Sequence, residues 1–318
     1  MRALIQNQDG DESSYSLGEV PKPKIFQNEA LIKVIAAALN PVDLVRGQGF
    51  FGPDKFPRIC GYDFAGIIEE INCDSASDDQ EKNRLKKGDK VFGDVMKNSM
   101  AKKEGRLGTV AEWLVCPVDM LAKVERNDVK LYETAGLGCV CLTAIQCFKR
   151  TSLKKGERLI VMGGTTAVGL HAMMIARNSV GVDAIACTAS ESSFEMCKKV
   201  GNPDKLVDYR KNDIVLQLEG WGDVVIDCVG DFDRGKKLLK SGGRLVSIVA
   251  ESFERDDIDS LYLAPEKKDV QVMEKLFNEK KITPIIDSTF DFVDAIKAIQ
   301  KVGSGRAKGK VIIKIADA

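Results

Sequence analysis

The stretch Val161-Met162-Gly163-Gly164-Thr165-Thr166-Ala167-Val168-Gly169 constrains the fold of this chain more than any other. It follows an apolar β-type run at 158–162 and leads into residues 170–176, whose apolar spacing is that of a buried helix. Strand, glycine turn and helix, in that order, suit a dinucleotide. The turn lets the backbone approach a pyrophosphate, and the free N–H groups and positive end of the helix face the anion. The pattern departs from G-x-G-x-x-G, because Thr166 stands at the middle glycine and leaves Gly163, Gly164 and Gly169. A side chain where close approach is needed is expected to weaken pyrophosphate binding without abolishing it. The competing reading is an ordinary tight turn, and the surrounding chain decides between the two.

From about residue 130, helical and strand patterns alternate. Helical spacing covers 133–148, and strands are expected at 158–162, 183–188, 205–207, 223–228 and 244–249. Apolar strands alternating with helices imply a parallel sheet covered on both faces, a doubly wound α/β fold. The glycine turn then falls at the carboxyl end of its first strand, where such sheets bind ligands. A second turn, Cys228-Val229-Gly230, ends the fourth strand on the same edge and is expected to line the cofactor cleft. Residues 1–123 read instead as β-rich, with short apolar segments between glycine, proline and polar turns and no strong helix. The polar stretch 72–87 reads as a solvated insertion. A tail with a helix near 292–301 and a strand at 310–315 is expected to cross back and complete the N-terminal domain. The expected division is therefore 1–123 with 284–318, and 124–283, with the active cleft between the two domains.

Lysine plus arginine number 47, equal to aspartate plus glutamate, so no net field favours nucleic acid or an anionic membrane. No apolar run reaches the length of a membrane span, and the first residues read as a strand, which makes cytoplasmic location the expectation. Nine scattered cysteines, mostly in apolar runs, suit reduced buried thiols better than a disulfide framework.

Ordered landmarks run through nearly the whole chain. They are Asn40-Pro41-Val42-Asp43; Pro57-Arg58-Ile59-Cys60-Gly61-Tyr62-Asp63-Phe64-Ala65-Gly66; Gly88-Asp89-Lys90-Val91-Phe92-Gly93; Gly108-Thr109-Val110-Ala111-Glu112; Leu142-Thr143-Ala144; Asp208-Tyr209-Arg210; Gly242-Gly243-Arg244-Leu245-Val246; and Gly309-Lys310-Val311-Ile312. Together they resemble the medium-chain dehydrogenase/reductase superfamily, in its zinc-free quinone-oxidoreductase and enoyl-reductase branch. The resemblance implies a GroES-like β-rich catalytic domain followed by a Rossmann domain that binds NADPH. It gives catalytic roles to Asn40 and Tyr62. To the cofactor it gives Thr143, Gly163, Gly164, Thr165, Thr166, Ala167, Val168, Thr188, Ser190, Tyr209, Cys228, Val229, Val249 and Lys310. It also leaves open a homodimer through the edge of the Rossmann sheet, where 260–264 resembles the last strand.

No metal is expected. The positions matching the zinc ligands of related alcohol dehydrogenases hold Asn40, Tyr62 and Cys139, and one thiolate without partners cannot make a tetrahedral site. His171, the only histidine, is read as a packing or surface residue, and the Cys139-x-Cys141 pair as inert thiols. The strand ending Cys187-Thr188-Ala189-Ser190 carries no acid at its tip, which favours a 2′-phosphate. Glu191 just beyond keeps NADH as the alternative, although Ser192-x-x-Glu195 reads as a capping box that turns Glu191 to solvent. Lys198, Lys199 and Arg210 are the candidate cations beside the 2′-phosphate.

The favoured activity is hydride transfer from NADPH to a quinone or an α,β-unsaturated carbonyl, acceptors polarised enough to need positioning more than a Lewis acid. Tyr62 is read either as a donor to substrate or as a tyrosine packed beneath the site. Phe50 and Phe51 are read either as an apolar wall for a flat substrate or as core. The competing class is a protein that keeps the reductase fold but acts through partners.

Overall fold

The computed structural model describes residues 1–50, 55–73, 84–96 and 108–317. Phe51 and most of the 72–87 insertion lie outside them. Two compact units emerge. One comprises Met1–Cys139, Ala264–Asn278 and Thr283–Ala318, and the other Val140–Leu263 and Glu279–Ile282.

The first unit is built from β1 (Arg2–Gln6), β2 (Tyr15–Glu19), β3 (Glu29–Leu39), β4 (Arg58–Ile59), β5 (Asp63–Asn72), β6 (Lys90–Asp94), β7 (Trp113–Pro117) and β8 (Leu121–Lys123). β1 lies between β2 and β4 in a small sheet. In the larger sheet β3 is followed by β5, β6 and β8, and β7 pairs with its first half. Every residue of β3 except Lys33 is buried, because both of its faces are covered. Leu31, Ile32, Phe64, Ile68, Val91 and Leu114 form the centre of the core.

A helix that the sequence reading missed, α1 (Pro41–Gly47), follows β3 directly. Seven residues are too few to display a period, and the signal is in the ends instead. Proline stands at the first helical position, and the Asp43 carboxylate accepts the Asn40 N–H at 2.7 Å.

The helix expected over 133–148 is two, α2 (Leu131–Thr134) and α3 (Gly138–Thr151). The chain breaks where it passes against Asp63. A Cβ at Gly138 would lie 2.4 Å from Asp63 Oδ1 and 2.7 Å from the Gly93 carbonyl, so only glycine fits.

The second unit is a five-stranded parallel sheet of β9 (Arg158–Met162), β10 (Ala184–Ala189), β11 (Lys205–Asp208), β12 (Gly222–Asp227) and β13 (Leu239–Ser247), in the order β11-β10-β9-β12-β13. The connecting helices are α4 (Ala167–Ile175), α5 (Phe194–Gly201), α6 (Ile214–Leu218) and α7 (Phe232–Lys237). The order turns around between β9 and β12, the switch point at which open α/β sheets take their ligands. From Gly169 onward α4 is buried all round, as a helix pressed on a sheet must be. The strand resembled by 260–264 is only a single bridge from Ser260 to Ser247. β13 ends at Ser247 and the chain turns into a short 3-10 helix at Ala250–Glu254, so nothing is left for a longer ladder to pair with.

The tail belongs to the first unit. α8 (Lys267–Asn278) precedes β14 (Ile286–Asp291), α9 (Ala295–Gly303) and β15 (Lys310–Lys314), and β15 pairs antiparallel with β3 and parallel with β14. The units divide differently from the sequence reading, which gave 124–139 and 264–278 to the Rossmann part. α8 is held by Phe277, edge-on to Phe92 at 5.1 Å between ring centres, and by Glu274, which takes the Arg84 guanidinium and the Lys123 N–H. No helix among the described residues is long and apolar enough to cross a membrane. Because Phe277 is fully buried, Phe277→Ala is expected to cost about 3–5 kcal/mol in urea denaturation. A loss below about 1 kcal/mol would show that α8 does not belong to this core.

Candidate functional site

In the second unit the turn after β9 is shaped by its own residues. Gly163 has φ +87°, the left-handed region open to glycine. Its N–H donates to Thr188 Oγ1 at 3.0 Å, and the Gly164 N–H donates to the Thr188 carbonyl at 2.8 Å, so Thr188 is buried and buttresses the turn from β10. A Cβ at Gly169 would lie 2.4 Å from the Gly163 carbonyl, so glycine is required where α4 meets the strand.

Thr166, the departure from the motif, has φ −65° and caps α4. Its hydroxyl accepts the Gly169 N–H at 3.0 Å and donates to the Gly163 carbonyl at 2.8 Å. The side chain thus closes its own turn. Thr165, Ala167 and Val168 are half-buried. The Ala167 and Val168 N–H groups open the helix, where no intrahelical carbonyl can reach them. A pyrophosphate fits this arrangement.

The neighbouring positions fall as follows. Cys228 follows β12, its N–H donates to the Met162 carbonyl at 3.0 Å, and desolvation pushes its thiol up to about 12 against a hydrogen bond with Thr166. Val229 is exposed, Val249 is half-buried at the end of β13, and Thr143 is buried on α3. Ser190 Oγ lies 3.2 and 3.1 Å from the Ser192 and Ser193 hydroxyls.

The expected capping box at 192–195 does not form. The residue before α5 is Ser193, and the Glu195 carboxylate takes the Lys198 ammonium at 2.8 Å instead. Glu191 is ion-paired with Lys211, a cation the sequence reading passed over. Arg210 lies over the exposed Tyr209 ring. A hydrogen bond with Cys197, and then burial, push the Cys187 thiol up, which keeps it protonated and unreactive. His171 is fully buried as a packing residue, its Nδ1 2.8 Å from the Ala167 carbonyl.

In the first unit the chemistry gathers on Asp63, which is fully buried at the start of β5. Its Oδ1 accepts the Cys139 N–H at 2.6 Å. Its Oδ2 accepts Asn40 Nδ2 at 2.9 Å and the Lys310 ammonium at 2.9 Å, and Lys310 donates also to Asn40 Oδ1. Lys310, one of the positions given to the cofactor by the resemblance, is only 1% exposed and is the counter-ion of this interior carboxylate. Asp94 faces Asp63 across the β5–β6 pair, and burial and then Asp63 push its carboxyl well above the usual range. Held protonated, it can lie beside a second carboxyl.

Burial also pushes Asp43 up to about 7 against the Asn40 N–H that it accepts. Burial, then Asp63 and Asp94, push the Cys139 thiol up, the opposite of what a metal thiolate needs. Tyr62 is buried in the core with the Arg46 guanidinium over its ring. Asn40 and Lys310 are brought together. The missed residue is Asp63. Its signal was an acid at the head of the apolar run Phe64-Ala65-Gly66, where a strand buried on both faces must supply a partner for it.

A doubly wound sheet with a phosphate-suited turn at its switch point, in one chain with a β-rich unit of this topology, defines a two-domain nucleotide-dependent dehydrogenase fold. The family model described as alcohol dehydrogenase GroES-like domain matches residues 27–126, and that described as zinc-binding dehydrogenase matches 203–313. The chain is 30% identical over 321 residues to an NADPH-dependent alkenal/one oxidoreductase, chloroplastic, of Arabidopsis thaliana, covering 98% of this chain and 79% of that protein. It is 28% identical to a 2-methylene-furan-3-one reductase of Solanum lycopersicum, covering 92% and 74%. The structure of the quinone oxidoreductase from Coxiella burnetii superposes with a TM-score of 0.81 at 25% identity over 99% of both chains. The chain belongs to the medium-chain dehydrogenase/reductase superfamily, in its zinc-free branch.

Two outcomes test the buried cluster. Lys310→Met strands the Asp63 charge and is expected to cost about 3–5 kcal/mol in chemical denaturation, most of it recovered when Asp63→Asn is added. No recovery in the double variant would refute the pairing. For Asp43 the folded pKa lies above the unfolded one, so its stabilising contribution is complete below the ordinary value of 3.8 and is lost as pH rises to about 7. Asp43→Asn should therefore gain on the wild type by an amount on the order of 4 kcal/mol between pH 4 and 8. A gap that stays flat with pH would contradict the assignment.

Proposed function

We propose that this chain is an NADPH-dependent, zinc-independent reductase that transfers hydride to a quinone or an α,β-unsaturated carbonyl. The observation that carries the reading is the turn after β9, where Thr166 closes the loop and leaves the Ala167 and Val168 N–H groups to hold a pyrophosphate. Thr188 holds that turn in shape from β10. Ser190 and Tyr209 stand at the strand ends that suit a 2′-phosphate, and the Glu191 carboxylate is drawn off by Lys211. Thr143 serves the nicotinamide ribose. When bound, the reduced nicotinamide supplies the hydride.

Asn40 orients the reacting groups through an amide fixed by Asp63 and Lys310, so its geometry is set before substrate arrives. Tyr62 shapes the region beneath from the core. A tetrahedral metal is disfavoured by the donors themselves: an amide, a core tyrosine and a thiol that burial keeps protonated. The named activities of the relatives, alkenal/one oxidoreductase, 2-methylene-furan-3-one reductase and quinone oxidoreductase, support the same acceptor class.

NADPH and NADH oxidation with a panel of quinones and enones, with and without a strong chelator, checks the reading. Turnover should favour NADPH and be indifferent to chelation. Tight NADPH binding with no acceptor turned over would move the protein to a partner-binding role, and one stoichiometric zinc would overturn the metal-free mechanism.

A further inference from the structure

Asp227, the last residue of β12, is fully buried, and it is a carboxylate. Its Oδ1 accepts the N–H groups of Val229 and Gly230 at 3.1 Å and of Asp231 at 3.4 Å. Its Oδ2 accepts Gly230 N–H at 3.1 Å and the Ser247 hydroxyl at 2.8 Å. Its backbone carbonyl takes the Ile248 N–H at 3.1 Å, and Ser247 Oγ takes the Val249 N–H at 3.4 Å. One side chain thereby sets the turns after both β12 and β13. A carboxylate is the side chain that can accept from several such donors at once, and no apolar residue of its size could do so.

The turn it holds stands against the glycine turn. β12 and β9 are adjacent, with Asp227 opposite Met162. A Cβ at Gly163 would lie 2.6 Å from Val229 Cγ1 and 3.4 Å from Cys228 Cβ. Val229 is nevertheless 52% exposed, an apolar side chain fixed by its own backbone and presented outward beside the phosphate-suited loop.

We propose that Asp227 is a positioning residue for the dinucleotide: by fixing the peptide groups of 229–231 and the Ser247 hydroxyl, it holds Val229 beside Gly163 as one wall of the cofactor site. The inference rests on the functional reading above and deepens it. Asp227 touches neither cofactor nor substrate. Its effect is transmitted through the turn and should be read in nucleotide affinity, separately from stability and from acceptor recognition.

The full-length protein and its Asp227→Ala, Asp227→Asn and Val229→Ala variants are to be compared by fluorescence titration with NADPH, by steady-state KM for NADPH and for one enone, and by thermal melting. Asp227→Ala should raise the NADPH Kd by about tenfold to a hundredfold, the loss expected for charge-assisted hydrogen bonds. Its acceptor KM should stay within about twofold. Asp227→Asn, which keeps one acceptor oxygen and can donate to Ser247, should return to within about fivefold of wild type. Val229→Ala, at an exposed position, should fold normally and raise the Kd about threefold.

A lowered melting point with unchanged NADPH Kd in Asp227→Ala would reduce the residue to a structural role and overturn the inference. Should that variant fail to fold, an unchanged NADPH Kd in Val229→Ala, which folds normally, would do the same. Wild-type protein that binds neither nucleotide would instead overturn the functional reading itself, so the two failures are distinguishable.

Discussion

The first unit depends on one buried charge. Asp63 joins the end of β3 through Asn40, the start of α3 through the Cys139 N–H, and the last strand through Lys310. A carboxylate with no access to water must find donors or be neutralised, and here the donors come from segments hundreds of residues apart in the chain. The same requirement explains the glycine at 138, because the backbone that delivers the Cys139 N–H has to pass within contact of the carboxylate. It also explains why Asp94, the acid opposite it on β6, is held protonated.

The second unit solves a different problem with the same economy of parts. Its glycine turn has to be tight, to carry free N–H groups, and to meet a helix at close range. Gly163 supplies the left-handed residue, Gly169 the close approach, and Thr166 the cap, so a motif that departs from the usual spacing still closes. Asp227 fixes the neighbouring turn by the same means that Thr166 fixes its own, a side-chain oxygen taking backbone N–H groups that would otherwise be unsatisfied. Both devices place polar partners under a surface that remains half-buried or exposed.

Zinc-free chemistry follows from the donor set more than from its distance to any ion. In the zinc-dependent relatives of this superfamily a metal polarises the substrate. In this chain the equivalent positions have become part of the interior: an amide locked to Asp63 and Lys310, a tyrosine beneath Arg46, and a thiol that burial keeps protonated. Quinones and conjugated carbonyls, which need less polarisation, are the acceptors such a site can serve.

The apolar runs and their punctuation were enough to read the parallel sheet, its five strands, the turn at the end of β9 and the return of the tail to the first unit. Those features are local, since strand burial on two faces and a glycine turn leave their pattern within a few residues. That the positions matching the zinc ligands hold an amide, a tyrosine and a single thiol was legible for the same reason, being a matter of residue type. What the chain order could not reveal was pairing at a distance. The partnership of Lys310 with Asp63 exists only once β15 is laid against β3, and Glu195 reads as half of a cap until Lys198 takes it. The short helix after Asn40, the break at Gly138 and the placement of α8 by Phe277 are likewise tertiary decisions. Each depends on which buried group or ring lies opposite, and burial creates that demand only once the chain has folded.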